Sequence, residues 1–271
     1  MATAEIIEGY CDESGIQDGA SNCVVAGWVA TSRKWKLFES RWSRASGGVE
    51  FHGKQFFARD PGGNRVGPYR GWPDDRANKY LQGLLDAILD CQLRSIGAVI
   101  NVADFQARTV EERKWLTGAA YLPDFKKWEG RGSPQRPYYL GFTECVEQGA
   151  ACVKNPDWKI HFYFDQQNVL APYAADYYQR AKGYAPPPLA RRLGELTFKS
   201  RDGLGALQAA DLLAHACSKR GSVGIGERQE LDAATVRLRP ITFGRIVHYH
   251  TPIIEERLAA LAPQWRREWK A

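Results

Sequence analysis

Three aspartates stand in segments that are otherwise apolar. Asp12 ends one strand-like run, Asp165 ends a second, and Asp211 lies on a strongly apolar helical segment. Burying a carboxylate costs free energy unless a positive group meets it, and hard cations such as Mg²⁺ prefer oxygen ligands. Taken alone, Asp12 would be better explained as the start of a turn, since Ser and Gly follow it. The three acids together predict a metal site.

The chemistry of such a site is phosphodiester cleavage. Two ions ~4 Å apart can stabilise the attacking and leaving oxygens, and they need three or four acids from different elements. Glu50 is the predicted fourth acid, because an imidazole (His52) and an amine (Lys54) follow it closely. Glu13 is the alternative, but strand alternation is expected to turn it away from Asp12. The predicted cofactor is Mg²⁺ or Mn²⁺.

Other polar side chains are predicted to assist the acids. His52 or His215 is expected to transfer a proton, because imidazole titrates near neutrality; for each, a packed or surface position is the more common alternative. Lys54 and Ser200 are predicted to contact phosphate. Gln208, one helical turn before Asp211, is predicted to orient a metal ligand.

Two loops that combine basic and aromatic residues are predicted to bind nucleic acid. The loop at 59–73 contains Arg70, and the loop at 122–137 contains Lys126 and Lys127. Gly and Pro punctuate the first loop, which argues against regular structure there. Aromatic rings and cations together suit single-stranded nucleic acid. An ordinary solvated loop is an equal alternative for both.

The overall composition is that of a globular protein, with 271 residues, 44% hydrophobic and 25% charged. The net charge of +6 modestly favours a polyanionic partner. No apolar run approaches the ~20 residues needed to span a bilayer, and the N-terminus lacks the pattern of a signal peptide. The six cysteines show no CxxC spacing, which argues against a zinc site. These features predict a cytoplasmic protein with free thiols and no membrane partner.

The acids must be positioned by a sheet and its helices. The short connection between the first two strands predicts an antiparallel hairpin, and strands that later alternate with helices predict an α/β fold with a mixed sheet. The helix predicted at 204–220 is apolar nearly all round and is therefore expected to be buried. Strands are predicted at 5–11, 22–30, 95–102, 158–165 and 194–199, and helices at 33–44, 74–91, 104–120, 138–154, 173–182, 204–220 and 253–269.

Two motifs occur in order along the chain: DESG at 12–15, and FKS at 198–200 followed by LQAADLLA at 207–214. Together they resemble the prokaryotic family known as domain of unknown function 3800. The resemblance implies a ribonuclease-H-like fold with a mixed five-stranded sheet over residues 1–220. It leaves an insertion at about 59–91, and residues 221–271 are expected to form a C-terminal extension packed on the same domain.

The resemblance also implies where the acids lie. It places Asp12 on the central first strand, Asp165 at the end of the fourth and Asp211 on the last core helix. Glu50 takes the position of an acid that the family carries between strands two and three. On this basis Asp12 is expected to bridge two ions, Asp165 and Asp211 to hold one each, and Glu50 to complete the metal ligands.

The predicted function is a divalent-metal-dependent nuclease that acts on DNA or RNA. One alternative is a nucleic-acid- or protein-binding module that keeps the fold without turnover. Another is a metal-dependent nucleotide hydrolase. The sequence has no GxxxxGK[ST] or GxGxxG phosphate-binding motif, which argues against this alternative.

Overall fold

A hairpin of the first two strands forms the centre of the sheet. Strand β1 (Ile7–Ser14) pairs antiparallel with β2 (Asn22–Thr31), as predicted. The computed structural model describes residues 6–122, 127–166, 168–184, 187–219, 234, 236–238 and 245–266. Within this part of the chain, six strands build a mixed sheet, with the hairpin at its centre and two further strands on each side.

The remaining strands extend the hairpin on both sides. Strand β3 (Arg94–Asn101) pairs antiparallel with β2. On the other side, β6 (Ile160–Asp165) is parallel to β1, and β7 (Leu193–Lys199) is parallel to β6. The edge strand β8 (Val247–Tyr249) is parallel to β3. The predicted five-stranded sheet thus gains a sixth strand, whose three residues are too few to show an alternating pattern in the sequence.

Helices cover both faces of this sheet. Their bounds are α1 Ser32–Ser46, α2 Gly53–Phe57, α3 Asp74–Asp90, α4 Val102–Gln106, α5 Val110–Gly118, α6 Tyr138–Cys152, α7 Ala171–Tyr184, α8 Pro187–Ala190, α9 Gly205–Ser218 and α10 Thr251–Arg266. Alternate residues of β2 enter two different cores, Trp28 on the side of α1, α3 and α9, and Val25 on the side of α6. The α/β architecture with flanking helices is therefore confirmed.

Two local predictions need correction. The single helix predicted at 104–120 is divided into α4 and α5, because Thr109 and Glu112 form a capping box that starts a new helix. Part of the loop predicted at 122–137 is a strand, since β5 (Lys127–Gly130) pairs with β4 (Ala119–Leu122). A Cβ at Gly130 would lie 2.8 Å from Trp115 Cδ1, so the missing side chain lets this strand pack on α5.

Helix α9 is buried, as its apolar sequence predicted. Every one of its residues except Cys217 is buried. The indole Nε1 of Trp28 donates a hydrogen bond of 3.0 Å to the carbonyl of Ala209, which fixes α9 against β2. Polar side chains on α9 must therefore find partners inside the protein.

Candidate active site

Two neighbouring parallel strands bring the first acids together. In the β1–β6 pair Cys11 lies opposite Phe164, so Asp12 and Asp165 follow at the same edge of the sheet. One carboxylate oxygen from each of Asp12, Glu13 and Asp165 lies within 4.8 Å of the others. Asp12 is 1% exposed and Asp165 is 4% exposed. These three residues, called the acidic cluster below, are largely shielded from water.

Glu13 belongs to this cluster, which corrects the prediction that strand alternation turns it away from Asp12. Asp12 Oδ1 accepts a hydrogen bond of 2.8 Å from the Glu13 amide, so the Asp12 carboxylate leans toward the end of β1. Glu13 is the penultimate residue of that strand, and its long side chain reaches the same edge. Alternation constrains the direction of Cβ, but it does not fix the end of a flexible side chain.

Glu50 has a different environment. Its side chain is exposed, and Oε1 accepts a hydrogen bond of 2.6 Å from the Gly203 amide. Within the described part of the chain, the group of acids at metal-ligand spacing contains Glu13 and not Glu50. The structure therefore places Glu50 as a link to the loop that precedes α9.

Asp211 of α9 faces the cluster and accepts from several donors. Its Oδ2 accepts a hydrogen bond of 2.8 Å from the Gly53 amide and lies 3.0 Å from His52 Nδ1. A Cβ on Gly53 would lie 2.8 Å from His215 Cβ and 3.1 Å from Asp211 Oδ1. Only glycine lets the backbone approach the helix this closely. Asp211 thus docks the segment around His52 onto α9.

The two candidate histidines differ in what they can do. An ionised Asp211 can only accept, so this contact requires a proton on Nδ1 of His52, and in the neutral ring Nε2 then has a lone pair. The His52 side chain is 32% exposed, so its ring lies partly at the surface. His215 is buried and stacks on Phe57 with ring centroids 5.2 Å apart. Burial lowers the pKa of His215 to about 4, so this ring is neutral and packed.

Arg201 connects the three aspartates, and the sequence analysis missed it. Its Nη1 lies 3.0 Å from Asp211 Oδ2 and 3.6 Å from Asp12 Oδ2, and its Nη2 lies 3.0 Å from Asp165 Oδ2. Nη1 is also 3.2 Å from His52 Nδ1, and both nitrogens donate to the same Asp211 oxygen. The sequence did contain a signal for Arg201. This arginine lies two residues after β7, and β7 pairs with β6, the strand that ends at Asp165.

The electrostatics of the site are those of several acids that share one cation. Burial, with help from the charges of Glu13 and Asp211, raises the pKa of Asp12 well above its usual value, although Arg201 opposes the shift. Burial also raises the pKa of Asp165. For Asp211, burial is outweighed by His52, Arg201 and the Gly53 amide, which hold its pKa below the usual value. The cluster therefore carries more potential negative charge than Arg201 compensates.

Gln208 and Tyr69 hold the backbone around the site. Gln208 Oε1 accepts hydrogen bonds from Trp42 Nε1 at 3.1 Å and from the Phe51 amide at 3.0 Å, and its Nε2 donates to the Arg201 carbonyl at 3.4 Å. The Tyr69 hydroxyl donates to the Glu50 carbonyl at 2.8 Å. Part of the 59–73 loop is thus packed against the site, because Tyr69 is fully buried.

Replacing Gln208 by leucine is expected to lower the free energy of unfolding by about 2–6 kcal/mol, because two buried donors lose their acceptor at ~1–3 kcal/mol each. Urea unfolding followed by circular dichroism measures the change. Gln17→Leu, in the exposed turn of the β1–β2 hairpin, is the matched control. Equal stability of the two variants would show that Gln208 does not hold these elements together.

The remaining predicted residues lie at the surface or outside the described part. Lys54 follows Gly53 directly and is exposed, as is Arg70. Ser200 is also exposed, and its Oγ donates to Asp202 Oδ2 at 2.7 Å. Lys126 lies outside the described residues, and Lys127 is described only as the first residue of β5. Lys54 is next in sequence to Gly53, whose amide donates to Asp211, and the roles of Lys54 and the other residues remain predictions.

The chain was compared with known proteins in three ways. No family model, no curated protein and no solved structure matches it. Among the helices that the structure describes, none has the length and apolar character needed to cross a membrane.

Proposed function

We propose that this protein is a divalent-metal-dependent hydrolase that cleaves phosphodiester bonds of nucleic acid. The observation that carries the proposal is the convergence of Asp12, Glu13 and Asp165 within 4.8 Å of one another. Asp211 joins them through the shared guanidinium of Arg201. The negative charge of these acids when ionised exceeds the single positive charge of Arg201, and a bound divalent cation would offset the excess.

The donor set fits Mg²⁺ or Mn²⁺. It consists of carboxylate oxygens, which hard divalent cations prefer. Asp12 Oδ2 is buried and accepts no hydrogen bond from any residue in the described ranges. Arg201 Nη1 is 3.6 Å away, beyond hydrogen-bond distance, so a directly coordinated cation would satisfy this oxygen better. The raised pKa of Asp12 points the same way, since a bound cation would restore the ionised form.

The strand order supports a ribonuclease-H-like fold and membership of the domain-of-unknown-function 3800 family. In such a fold the first strand is central, the fourth strand of the sheet ends in an acid and the last core helix supplies another. Here β1 lies inside the sheet between β2 and β6, β6 ends at Asp165, and Asp211 lies on α9. Fold alone does not define a reaction, so the acidic cluster carries the functional argument.

Each residue has a role that its contacts support. Asp12, Glu13, Asp165 and Asp211 would hold the metal, which when bound supplies electrostatic stabilisation of the attacking and leaving oxygens. Asp211 also orients His52, whose side chain is partly exposed and whose Nε2 would accept a proton from water or return one to the leaving oxygen. Lys54, exposed beside Gly53, would contact a substrate phosphate.

A cleavage assay tests the proposal. It uses labelled single- and double-stranded DNA and RNA with Mg²⁺ or Mn²⁺, and EDTA is the control. We expect metal-dependent cutting of at least one polymer and metal binding by calorimetry. Metal binding without any cutting of polymers, but with hydrolysis of mononucleotides, would favour a nucleotide hydrolase. The absence of both metal binding and cutting would contradict the proposal and favour a non-catalytic binding module.

A further inference from the structure

Arg201 occupies the place where a bound cation would have to meet the aspartates. Its two terminal nitrogens lie 3.0 Å from Asp165 Oδ2, 3.0 Å from Asp211 Oδ2 and 3.6 Å from Asp12 Oδ2. Mg²⁺ takes its oxygen ligands at about 2.1 Å. A divalent ion held by these oxygens would compete with the guanidinium, because two cations on the same carboxylates repel each other.

The backbone of Arg201 is held by hydrogen bonds, whereas its side chain is partly exposed to solvent. The Arg201 carbonyl accepts from the Leu204 amide at 3.0 Å and from Gln208 Nε2 at 3.4 Å. Glu50 anchors the same loop through the Gly203 amide at 2.6 Å. The Arg201 side chain is 27% exposed, so part of it borders solvent, the direction in which the guanidinium would leave the acids.

This inference rests on the proposed function. We propose that the Arg201 side chain leaves the aspartates and binds a substrate phosphate when a divalent metal binds. In the metal-free protein the guanidinium is the internal counter-cation of Asp12, Asp165 and Asp211. After metal binding it turns outward at the edge of the site, where its planar fork matches a phosphate with two parallel hydrogen bonds. Arg201 thereby links metal binding to substrate binding.

This exchange predicts effects of opposite sign when the guanidinium is removed. Arg201→Ala is expected to bind Mn²⁺ about tenfold more tightly than the wild type, because a competing cation is lost. The same variant is expected to bind a labelled 20-nucleotide single-stranded DNA several-fold more weakly in the presence of metal, because a phosphate ligand is lost. An arginine that only supports the structure would weaken both.

Calorimetry with Mn²⁺ and fluorescence anisotropy with the DNA probe measure the two affinities. Arg180→Ala is the matched control. Arg180 forms an ion pair of 2.9 Å with Asp176 on helix α7 and is not among the contacts of the site aspartates described above. Arg201→Lys is a second variant that keeps the charge. Its ammonium is one nitrogen and cannot match the two guanidinium nitrogens that contact Asp165 and Asp211 separately, so its Mn²⁺ affinity should lie between the wild type and Arg201→Ala.

The outcomes separate this inference from the proposed function. If the wild type binds Mn²⁺ and both Arg201 variants bind it with equal or lower affinity, the exchange is wrong and the proposed metal site is unaffected. Mn²⁺ binding to neither the wild type nor the variants overturns the proposed function, and the exchange with it. Tighter Mn²⁺ binding together with weaker DNA binding in Arg201→Ala supports the exchange.

Discussion

Replacing Asp12 by asparagine is expected to lower metal-dependent cleavage by about a thousandfold, because losing a metal ligand removes several kcal/mol of transition-state stabilisation and each 1.36 kcal/mol is a factor of ten. Asp12 is the member of the cluster whose Oδ2 is buried without a hydrogen bond from the described residues. An amide oxygen is a weaker ligand than a carboxylate for a hard cation. Cleavage rates at saturating Mg²⁺ measure the loss.

The same substitution should not unfold the protein. In the metal-free state, burial and the neighbouring acids raise the pKa of Asp12, which means that holding it ionised at neutral pH costs folding free energy. Asparagine removes that cost, so Asp12→Asn should unfold in EDTA at the wild-type temperature or above it. The wild type should gain thermal stability from millimolar Mg²⁺, whereas the variant should gain little.

Asp18→Asn is the matched control, because Asp18 is exposed in the turn of the same hairpin. It should cleave and bind metal as the wild type does. If Asp12→Asn retained both cleavage and the stability gain from Mg²⁺, the acidic cluster would not be the metal site. If the variant lost cleavage by unfolding, its thermal transition in EDTA would reveal this directly.

The sequence predicted the parts of the site that regular elements position. Asp12 and Asp165 each end an apolar run, and such runs become neighbouring strands whose carboxyl ends share an edge. Asp211 could be placed because a helix that is apolar nearly all round must be buried, so its few polar groups face inward. Local periodicity was enough for these three residues.

The sequence did not reveal what side-chain reach and loop paths decide. Glu13 was only the alternative to Glu50, because strand alternation predicts the direction of Cβ and not the position of the carboxylate. Its long side chain, near the end of the strand, brings the carboxylate into the cluster. Arg201 lies in an irregular loop between β7 and α9, where no periodic pattern indicates direction. Strand β8 depends on pairing with β3 across a long stretch of sequence, which local propensity does not encode.

Glu13 and Glu50 give opposite expectations for the fourth acid. Glu13→Gln is expected to lower kcat/KM by about a hundredfold, which corresponds to roughly 3 kcal/mol of lost transition-state stabilisation. Glu13 has this effect because its carboxylate lies within 4.8 Å of those of Asp12 and Asp165. Glu50→Gln should change kcat/KM by less than about fivefold, since a glutamine oxygen can still accept the Gly203 amide.

Steady-state cleavage and Mn²⁺ calorimetry on the two variants decide between the acids. Both substitutions are isosteric and remove one negative charge, so each is the control for the other. A loss of Mn²⁺ affinity in Glu13→Gln alone would assign the fourth ligand to the strand end. The reverse pattern, with Glu50→Gln impaired and Glu13→Gln intact, would mean that the loop before α9 moves to bring Glu50 into the site when metal binds, because in this structure Glu50 contacts that loop through Gly203.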